Sequence, residues 1–474
     1  MMESSSTSST ITLLSSSSYD TTFELDTRRW FILSYFAVLN ANQCLTWFSF
    51  SSIEQDKLES YFGPLAAQSN INLLLNWGPI AGMGMFLLQK LLSSNKIGEL
   101  NSAFELQKVI RLSVLLAFLG NLLRLFPIIL SELTSDPNYR QSHFAFFCYH
   151  ACAILNAASG PLNMGSVSLL SATWFAEEER TTATAIAETS NGLGTTIGFL
   201  NPIFFAPVIA QIPNIFYFSA FVSLLPLIGS IVYLPKNPQF PPNRSQQLLR
   251  EPPPIGAPDS DHEMLLSTLP DSKTTPTHYS TSFIALIVLA AALSGMTDGW
   301  QGCYQSILNP VGISDADVGW IGFATCCAGN FAAISSGVLM DRVYRRRLKP
   351  AIIVFLTISL ISTIWFTLAI SLDSFSDSQF VLLISIIISG AFREACSPLF
   401  YELSAELIYP QQESQSGGML VFLLNMFAAI MISLDDSLTG DSMNFVMCGV
   451  MVLVISSIAI FVNEEYKRPS TFFH

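Results

Sequence analysis

The chain is short of charge: 22 Lys and Arg with 35 Asp and Glu make up 12% of 474 residues, whereas a soluble domain carries about a quarter. So little charge cannot coat a soluble fold of this length, and a water-soluble architecture is excluded. Histidine is scarce too, with five in the chain. Only His143 and His150 fall in or near an apolar stretch and neither sits in a Cys/His motif, so metal or haem ligation is not expected. The eight cysteines, Cys44, Cys148, Cys152, Cys303, Cys326, Cys327, Cys396 and Cys448, all lie inside apolar stretches. That removes a disulfide framework of the secreted type and leaves them as small core residues. The first 30 or so residues are a Ser/Thr-rich polar tail with no apolar core, so no cleavable signal is visible and the first apolar block is expected to direct insertion. No nucleophile–base pair, metal-ligand spacing or phosphate loop stands out. An enzyme is therefore not expected, nor a cofactor or a nucleic-acid partner.

What the chain has is apolar residue, 50% of the total, gathered in blocks of roughly 20, which is the length that crosses the hydrocarbon core of a bilayer. Trp30 to Ile53, Phe216 to Leu234, Phe283 to Ile307, Ala351 to Leu372 and Met443 to Val462 each read as a spanning helix. Further spans, interrupted by Gly, Pro or a charge, are placed near 70–90, 108–131, 144–174, 182–206, 317–340, 379–403 and 415–433. Together they make about twelve, and the fold class is an all-α membrane protein.

Between Lys236 and Tyr279 the apolar pattern stops and Pro, Ser and charge take over, as in a flexible linker. The expected organisation is a disordered tail (1–27), a six-helix half (28–235), a linker (236–280), a second six-helix half (281–462) and a short tail (463–474). Two six-helix halves about a long loop is the layout of a carrier whose solute site lies between the halves near the bilayer midplane. Within the linker, Asp261, Leu265 and Leu266 fit the acidic dileucine pattern that adaptor complexes read when sorting proteins to endosomes and lysosomes.

The net charge of -13 matters less than where the charges fall. With an even number of spans and the N-terminus inside, about 18 of the 22 Lys and Arg lie in cytoplasmic segments, which sets both termini in the cytoplasm. The opposite loops carry Glu54, Asp56, Glu59, Asp315, Asp317, Asp373, Asp377, Asp435, Asp436 and Asp441. Such loops would concentrate cations on that face, or simply solvate the helix ends. After the eighth span, Gly337, Asp341, Arg342, Arg345 and Arg346 resemble the G-x-x-x-D-R-x-x-R-R signature of the major facilitator superfamily. The resemblance implies a close helix approach at the Gly and a charge latch that holds one conformation; a plain positive-inside cluster would account for the arginines alone.

Seven stretches carry a second likeness: RRW at Arg28 to Trp30, NWGPI at Asn76 to Ile80, LNAASGP at Leu155 to Pro161, WFAEEERTTATAIA at Trp174 to Ala187, NGLGTTIGFLNP at Asn191 to Pro202, DADVGWIGF at Asp315 to Phe323 and PLFYELSAELIYP at Pro398 to Pro410. They resemble solute carrier family 49, the feline leukaemia virus subgroup C receptor-related transporters, and most of all its branch containing disrupted in renal carcinoma protein 2. The resemblance implies a major facilitator fold and movement of small solutes: choline and ethanolamine, haem in a disputed role, and for the nearest branch pyridoxine driven by protons. It also implies a site lined by an aromatic of the first span and by glutamines of the fifth and eleventh. Here the aromatic is Trp47, but the glutamines are replaced by Gly192 and Asn425, which weakens choline as the solute.

Two acids stand inside spans, where a carboxylate costs several kcal/mol unless paired, hydrated or protonated. Glu188 lies in ATAIAETSNGLG and Asp298 in SGMTDGWQGCYQ. Either would bind a proton on an acidic side and release it on the other, or else be a structural acid paired within the bundle. Gly295, Gly299 and Gly302 beside Asp298 suggest a locally broken helix, and Trp300, Gln301, Tyr304 and Gln305 add ring faces and amides to it. Trp47 and Trp300 would suit a cation or protonated heteroaromatic ring, or else pack between helices. Arg124, Arg393 and Glu394 are read as structural charges paired with other helices, and Glu402 and Glu406, one turn apart, as gate or scaffold. The expectation is a carrier that takes a small cationic or weakly basic solute, pyridoxine first among them, from a lysosome-like lumen to the cytosol with protons. A plasma-membrane uniporter of choline or ethanolamine, and a receptor or scaffold that no longer transports, are the alternatives.

Overall fold

A computed structural model describes residues 26–50, 53–94, 106–175, 177–235, 238–240, 279–343, 347–371, 379–408, 413–435, 437–438 and 440–464. The chain forms helices α1 (Arg28–Trp47), α2 (Gln55–Phe62), α3 (Gln68–Ser94), α4 (Leu106–Thr134), α5 (His143–Trp174), α6 (Glu177–Gly198) and α7 (Pro213–Val232). The second half holds α8 (Thr281–Gly302), α9 (Asp315–Val343), α10 (Leu348–Ser371), α11 (Gln379–Glu394), α12 (Ser397–Ile408), α13 (Glu413–Asp435) and α14 (Gly440–Phe461). With α11 and α12 stacked as one rod and the short α2 set aside, these make twelve rods among the described residues, in two groups of six. Eight of these helical segments are long and apolar enough to cross a membrane unaided. Among the others, α1 carries buried Asn40, Asn42 and Gln43 and α6 carries Glu188, Ser190 and Asn191, the composition of helices that line a seam rather than lipid.

Local chemistry sets several boundaries. Ser142 and Ser280 cap α5 and α8, their hydroxyls accepting from the Ala145 and Phe283 amides at 3.1 and 3.2 Å. Gly63 and Gly312 turn the loops after α2 and before α9 at φ +80° and +85°, where a side chain would be strained. The first apolar block ends as a helix at Trp47, and the polar stretch after it makes the amphipathic α2, which periodicity of the spans did not announce.

The tenth span breaks at Ala395 and Cys396, between α11 and α12. The expected break comes at one of the three glycines: α8 runs unbroken through Gly295, Asp298 and Gly299, stops at Gly302, and a short helix resumes at Tyr304–Leu308. Gly295 and Gly299 let α13 approach. A Cβ on Gly295 would collide with the Leu424 carbonyl oxygen, and one on Gly299 would lie 2.9 Å from that of Ala428. In the first half Gly194 of α6 does the same for α1, meeting the Ala41 carbonyl oxygen. First and fifth rods of one half thus pack like first and fifth rods of the other.

The chain ends gather on one face, where the Arg28 guanidinium donates to the Tyr233 hydroxyl at 3.2 Å and the Asn463 amide to Ser282 at 3.0 Å. On the opposite face the halves are tied together. Lys57 of α2 pairs with Asp315 of α9, Gln68 and Asn72 of α3 donate to Asp435 of α13 at 3.3 and 3.1 Å, and Asn76 donates to Ser433 at 3.3 Å. Ser306 adds a bond of 2.5 Å to the same Asp435, and Phe199 lies where side chains on Gly319 and Gly322 would stand. These contacts between the halves all lie towards the opposite face, so the seam is sealed there. A cavity of about 300 Å³ lies in this seal, lined among others by Glu54, Gln68, Asn72, Cys303, Gln305 and Ser306.

The candidate solute chamber

Between the halves, α3 packs on α13 and α6 on α9, with α1 and α8 beside them. The first-half wall is built on Gln43. Its Oε1 accepts from Asn191 at 3.2 Å, its backbone carbonyl from Asn156 at 2.9 Å, and Gly160 leaves room for its amide. One helical turn along, the Trp47 indole N–H donates to the Leu75 carbonyl at 2.8 Å, and the ring lies over Gly78, where any side chain would displace it. Cys44 and Thr195 approach at 2.9 Å.

Both intramembrane acids lie on helices of this seam. Glu188 and Asp298 are each half-buried, and among the described residues neither has a hydrogen bond. Tyr401 of α12 lies within Coulombic range of both, and Asp298 is in range of Cys44 across the seam. The two carboxylates, expected separately from the sequence, are therefore brought within Coulombic range of one side chain, Tyr401, from opposite halves. Gln301, half-buried, has Cys326 3.9 Å from its Oε1.

Asn425 packs against Gly82, 3.0 Å from a would-be Cβ, and donates to the Val421 carbonyl at 2.8 Å. At Gly192, where the family likeness would place a glutamine, the space is taken by Asn330 of α9, whose Oδ1 stands 2.9 Å from a would-be Cβ. Asn330 was not foreseen. Its only signal in the sequence is an amide in an otherwise small and apolar run, AGNFAA.

Trp300 requires a correction. It is 0% exposed, its indole N–H donates to Asn444 at 2.9 Å, and it packs edge-on to Tyr304 and Phe366 at 5.1 and 6.0 Å. In this conformation it offers no ring face to a solute; its size and its N–H are both spent inside the second half. Tyr304 is buried beside it, its hydroxyl turned towards Arg393 without completing a hydrogen bond.

Arg124 is buried and, among the described residues, has no acid partner. It donates to Ser49 and Asn121 at 2.8 Å each and to Ser219, and lies 4.8 Å from the Phe216 ring centroid. Its expected pairing with other helices is made by hydroxyls and a ring face.

Of the gating residues, Gly337 has no atom of another described residue within 4 Å of a would-be Cβ, so no described helix approaches closely there in this conformation. Glu402 is exposed and Glu406 is 8% exposed on α12. Arg345, Arg346 and the sorting residues Asp261, Leu265 and Leu266 lie outside the described residues, as do the side chains of Asp341 and Arg342. A charge contact at the terminal face that sequence reasoning missed joins two of the signature stretches: Arg29 of RRW donates to both carboxylate oxygens of Glu179 in WFAEEER at 2.9 and 3.0 Å, while Trp30 meets Phe175 edge-on at 5.2 Å.

The sequence profile of the Major Facilitator Superfamily matches residues 31–433. The solute carrier family 49 member 4 homolog of Xenopus laevis is 29% identical, the match covering 93% of this chain and 92% of that protein. The choline/ethanolamine transporter FLVCR2 of Homo sapiens is 25% identical over 64% of this chain and 57% of its own length. Among solved structures, the xylose transporter XylE from E. coli in an inward open conformation superposes with a TM-score of 0.65 at 14% identity, over 93% of this chain and 98% of that one. That likeness shows a shared fold.

Proposed function

Because the chain belongs to the Major Facilitator Superfamily, and so is a multi-pass membrane transporter rather than an enzyme, we propose that it carries a small cationic or weakly basic organic solute together with protons, with pyridoxine exported from lysosome to cytosol as the leading case. The observation that supports this is that Glu188 and Asp298, from opposite halves, both lie in Coulombic range of Tyr401 and have no hydrogen bond to any described residue. Carboxylates left without partners at this depth are stable only with a proton, a cation or water beside them. A proton on one acid and a basic nitrogen against the other would neutralise both. In this reading both chain ends are cytoplasmic, the seal around Lys57, Asp315 and Asp435 is lumenal, and the carrier is closed to the lumen. Trp47, Gln301 and Asn425 shape the solute's surroundings, Tyr304 supports that wall from behind, and Gly337, Asp341, Arg342, Arg345, Arg346, Glu402 and Glu406 act at the cytoplasmic gate. Asp261, Leu265 and Leu266 direct the protein to the lysosome through an adaptor complex.

One observation favours a second reading, a choline or ethanolamine uniporter of the plasma membrane. Asn330 fills the space at Gly192 on α6, and Asn425 packs against Gly82 on α3 with the Trp47 ring one turn away at Gly78, so the seam carries two amides and an indole. The two readings separate in uptake of labelled pyridoxine and choline by cells that display the protein at their surface through Leu265→Ala and Leu266→Ala, at outside pH 5 and 7.5, with Glu188→Gln and Asp298→Asn alongside. Pyridoxine uptake raised by acid and lost in either acid variant is the expected result. Choline uptake indifferent to pH and to both substitutions would give the place to the uniporter.

A further inference from the structure

Arg393 is 3% exposed in α11, at a depth where a cation needs a neutralising partner, yet its interactions are incomplete. Nη1 reaches the Ser389 hydroxyl at 3.5 Å and the guanidinium carbon lies 5.7 Å from the Trp300 ring centroid. Nε stands 4.0 Å from Oε1 of Glu394, too far for a hydrogen bond. Neither Nε nor Nη2 donates to any described residue. Adjacent positions on a helix do not face one another, which is why the neighbouring acid fails to close on it. Glu394 is instead packed on α9, where Gly329 leaves room for its Cγ. Asp298 of α8 is in Coulombic range of both residues. The other titratable groups facing Arg393 are Tyr304 from the short turn after α8, Cys326 from α9 and Cys396 at the break before α12. Two acids thus share one base that has two donors unused.

We propose that Arg393 is the internal counter-ion of the empty carrier: when solute and proton have left, its free Nε–H and Nη2 donors bridge the carboxylates of Asp298 and Glu394, and the unloaded protein reorients with that charge paired. A guanidinium presents five donors in a fixed plane and can hold two carboxylates at once. In the loaded carrier a proton or the basic solute neutralises Asp298, so Arg393 is no longer shared between two acids and the loaded transit does not depend on the bridge. This rests on the proton-coupled reading above. It makes Arg393 a positioning residue for the return step, which distinguishes it from a residue that merely packs.

The test is made on purified full-length protein in liposomes, with labelled pyridoxine as the probe. Net uptake into empty vesicles requires the empty return; exchange against unlabelled pyridoxine inside does not. In Arg393→Gln, net uptake should fall about tenfold or more, equivalent to about 1.4 kcal/mol in the return barrier, while exchange stays within about twofold of wild type. Restoring charge balance in Arg393→Gln with Glu394→Gln should bring the ratio of net to exchange flux back to within about threefold of wild type, and this pair also serves if the single variant does not fold. Loss of both modes together in folded protein, or retention of both, would overturn the counter-ion. If the wild type shows neither mode for pyridoxine or choline, the proposed solute, on which the counter-ion rests, falls.

Discussion

Breaking the seal at the opposite face should open the seam there by a measurable amount, and Asp435 is the place to break it. Its carboxylate accepts from Gln68 and Asn72 across the seam and from Ser306 on its own side. Hydrogen bonds to a charged acceptor contribute about 1.5–3 kcal/mol against about 1 for neutral pairs, so Asp435→Asn, which keeps the shape and removes the charge, weakens two seam-crossing bonds by about 1 kcal/mol each. That total of about 2 kcal/mol is roughly thirtyfold in the open–closed equilibrium. Water at the partly exposed site screens the effect, which sets about fivefold as the lower figure. The reporter is native: Cys303 lines the seal cavity and is 3% exposed. In a variant that keeps Cys303 and replaces the other cysteines, labelling by a membrane-impermeant maleimide applied to the opposite face should speed up fivefold to thirtyfold with Asp435→Asn. Lys57→Gln should act in the same direction. Burial opposes the Lys57 ammonium, but the bond to Asp315, with Glu54 behind it, holds its pKa above the ordinary range, so the pair persists through neutral pH. An unchanged labelling rate in both variants would refute the assignment of these residues to the seal.

Three further outcomes follow from packing and charge at other sites. Arg124→Lys should lower thermal stability in detergent by about 2–4 kcal/mol, because a single ammonium cannot reach Ser49, Asn121 and Ser219 together and the group stays buried without an acid; a melting temperature within a degree of wild type would contradict this. Gly194→Ala and Gly295→Ala should each cost about 1–3 kcal/mol, since the added methyl meets a backbone carbonyl that cannot move aside, whereas Gly337→Ala meets nothing and should melt like wild type. At the terminal face, the Arg28 guanidinium and the backbone amides of Gln239 and Arg28 hold the Asp26 carboxyl far below the usual carboxylate range. A depressed carboxylate stabilises above its unfolded pKa of about 3.9 and loses that contribution only as pH falls through the folded value. Amide exchange at Gln239 should therefore stay slow and nearly flat from pH 5 to 8 once corrected for intrinsic rate, and speed up in Asp26→Asn.

The spans were legible because a bilayer demands long apolar runs and the chain obliges. What the runs conceal is where a helix stops. Trp30 to Ile53 reads as one block, yet the helix ends at Trp47 and Phe48 and Phe50 turn inward to pack on Phe199 and Phe62. Hydropathy counts those rings as lipid-facing, although they are core. Gly295 and Gly299 beside Asp298 misled for a related reason: glycine marks either a break or a close approach, and the difference lies in the partner helix, α13, more than a hundred residues away. Glu188 and Asp298 were legible as candidates because charge is scarce inside spans. Their approach to a common neighbour, Tyr401, was not, since they lie in different halves. Trp300 shows the limit of residue type as a guide, because an indole suits a cation and a core equally well, and its bond to Asn444 decided the matter.

The stretches that carry the family likeness do not crowd around the solute chamber. Arg29 of RRW closes on Glu179 of WFAEEER, Asn76 of NWGPI reaches Ser433, Asn156 of LNAASGP braces Gln43, and Phe199 of NGLGTTIGFLNP fills the glycines of DADVGWIGF, whose Asp315 takes Lys57. Most of these contacts are joints between helices, several of them between halves, that must form and release in a rocking carrier. Joints of this kind depend on small residues and matched polar pairs, which tolerate little substitution whatever the solute. The likeness therefore speaks first to how the protein moves. On the proposed reading, what it moves is set by a smaller group, Trp47, Glu188, Asp298, Asn330, Arg393 and Asn425, in which Gly192 stands where the resemblance would place a glutamine on the fifth rod and an amide from the eighth takes its space. The double substitution Asn330→Gly with Gly192→Gln would return the amide to its family position while leaving every joint intact, so a change in solute preference without a change in stability is the outcome that would separate the two layers.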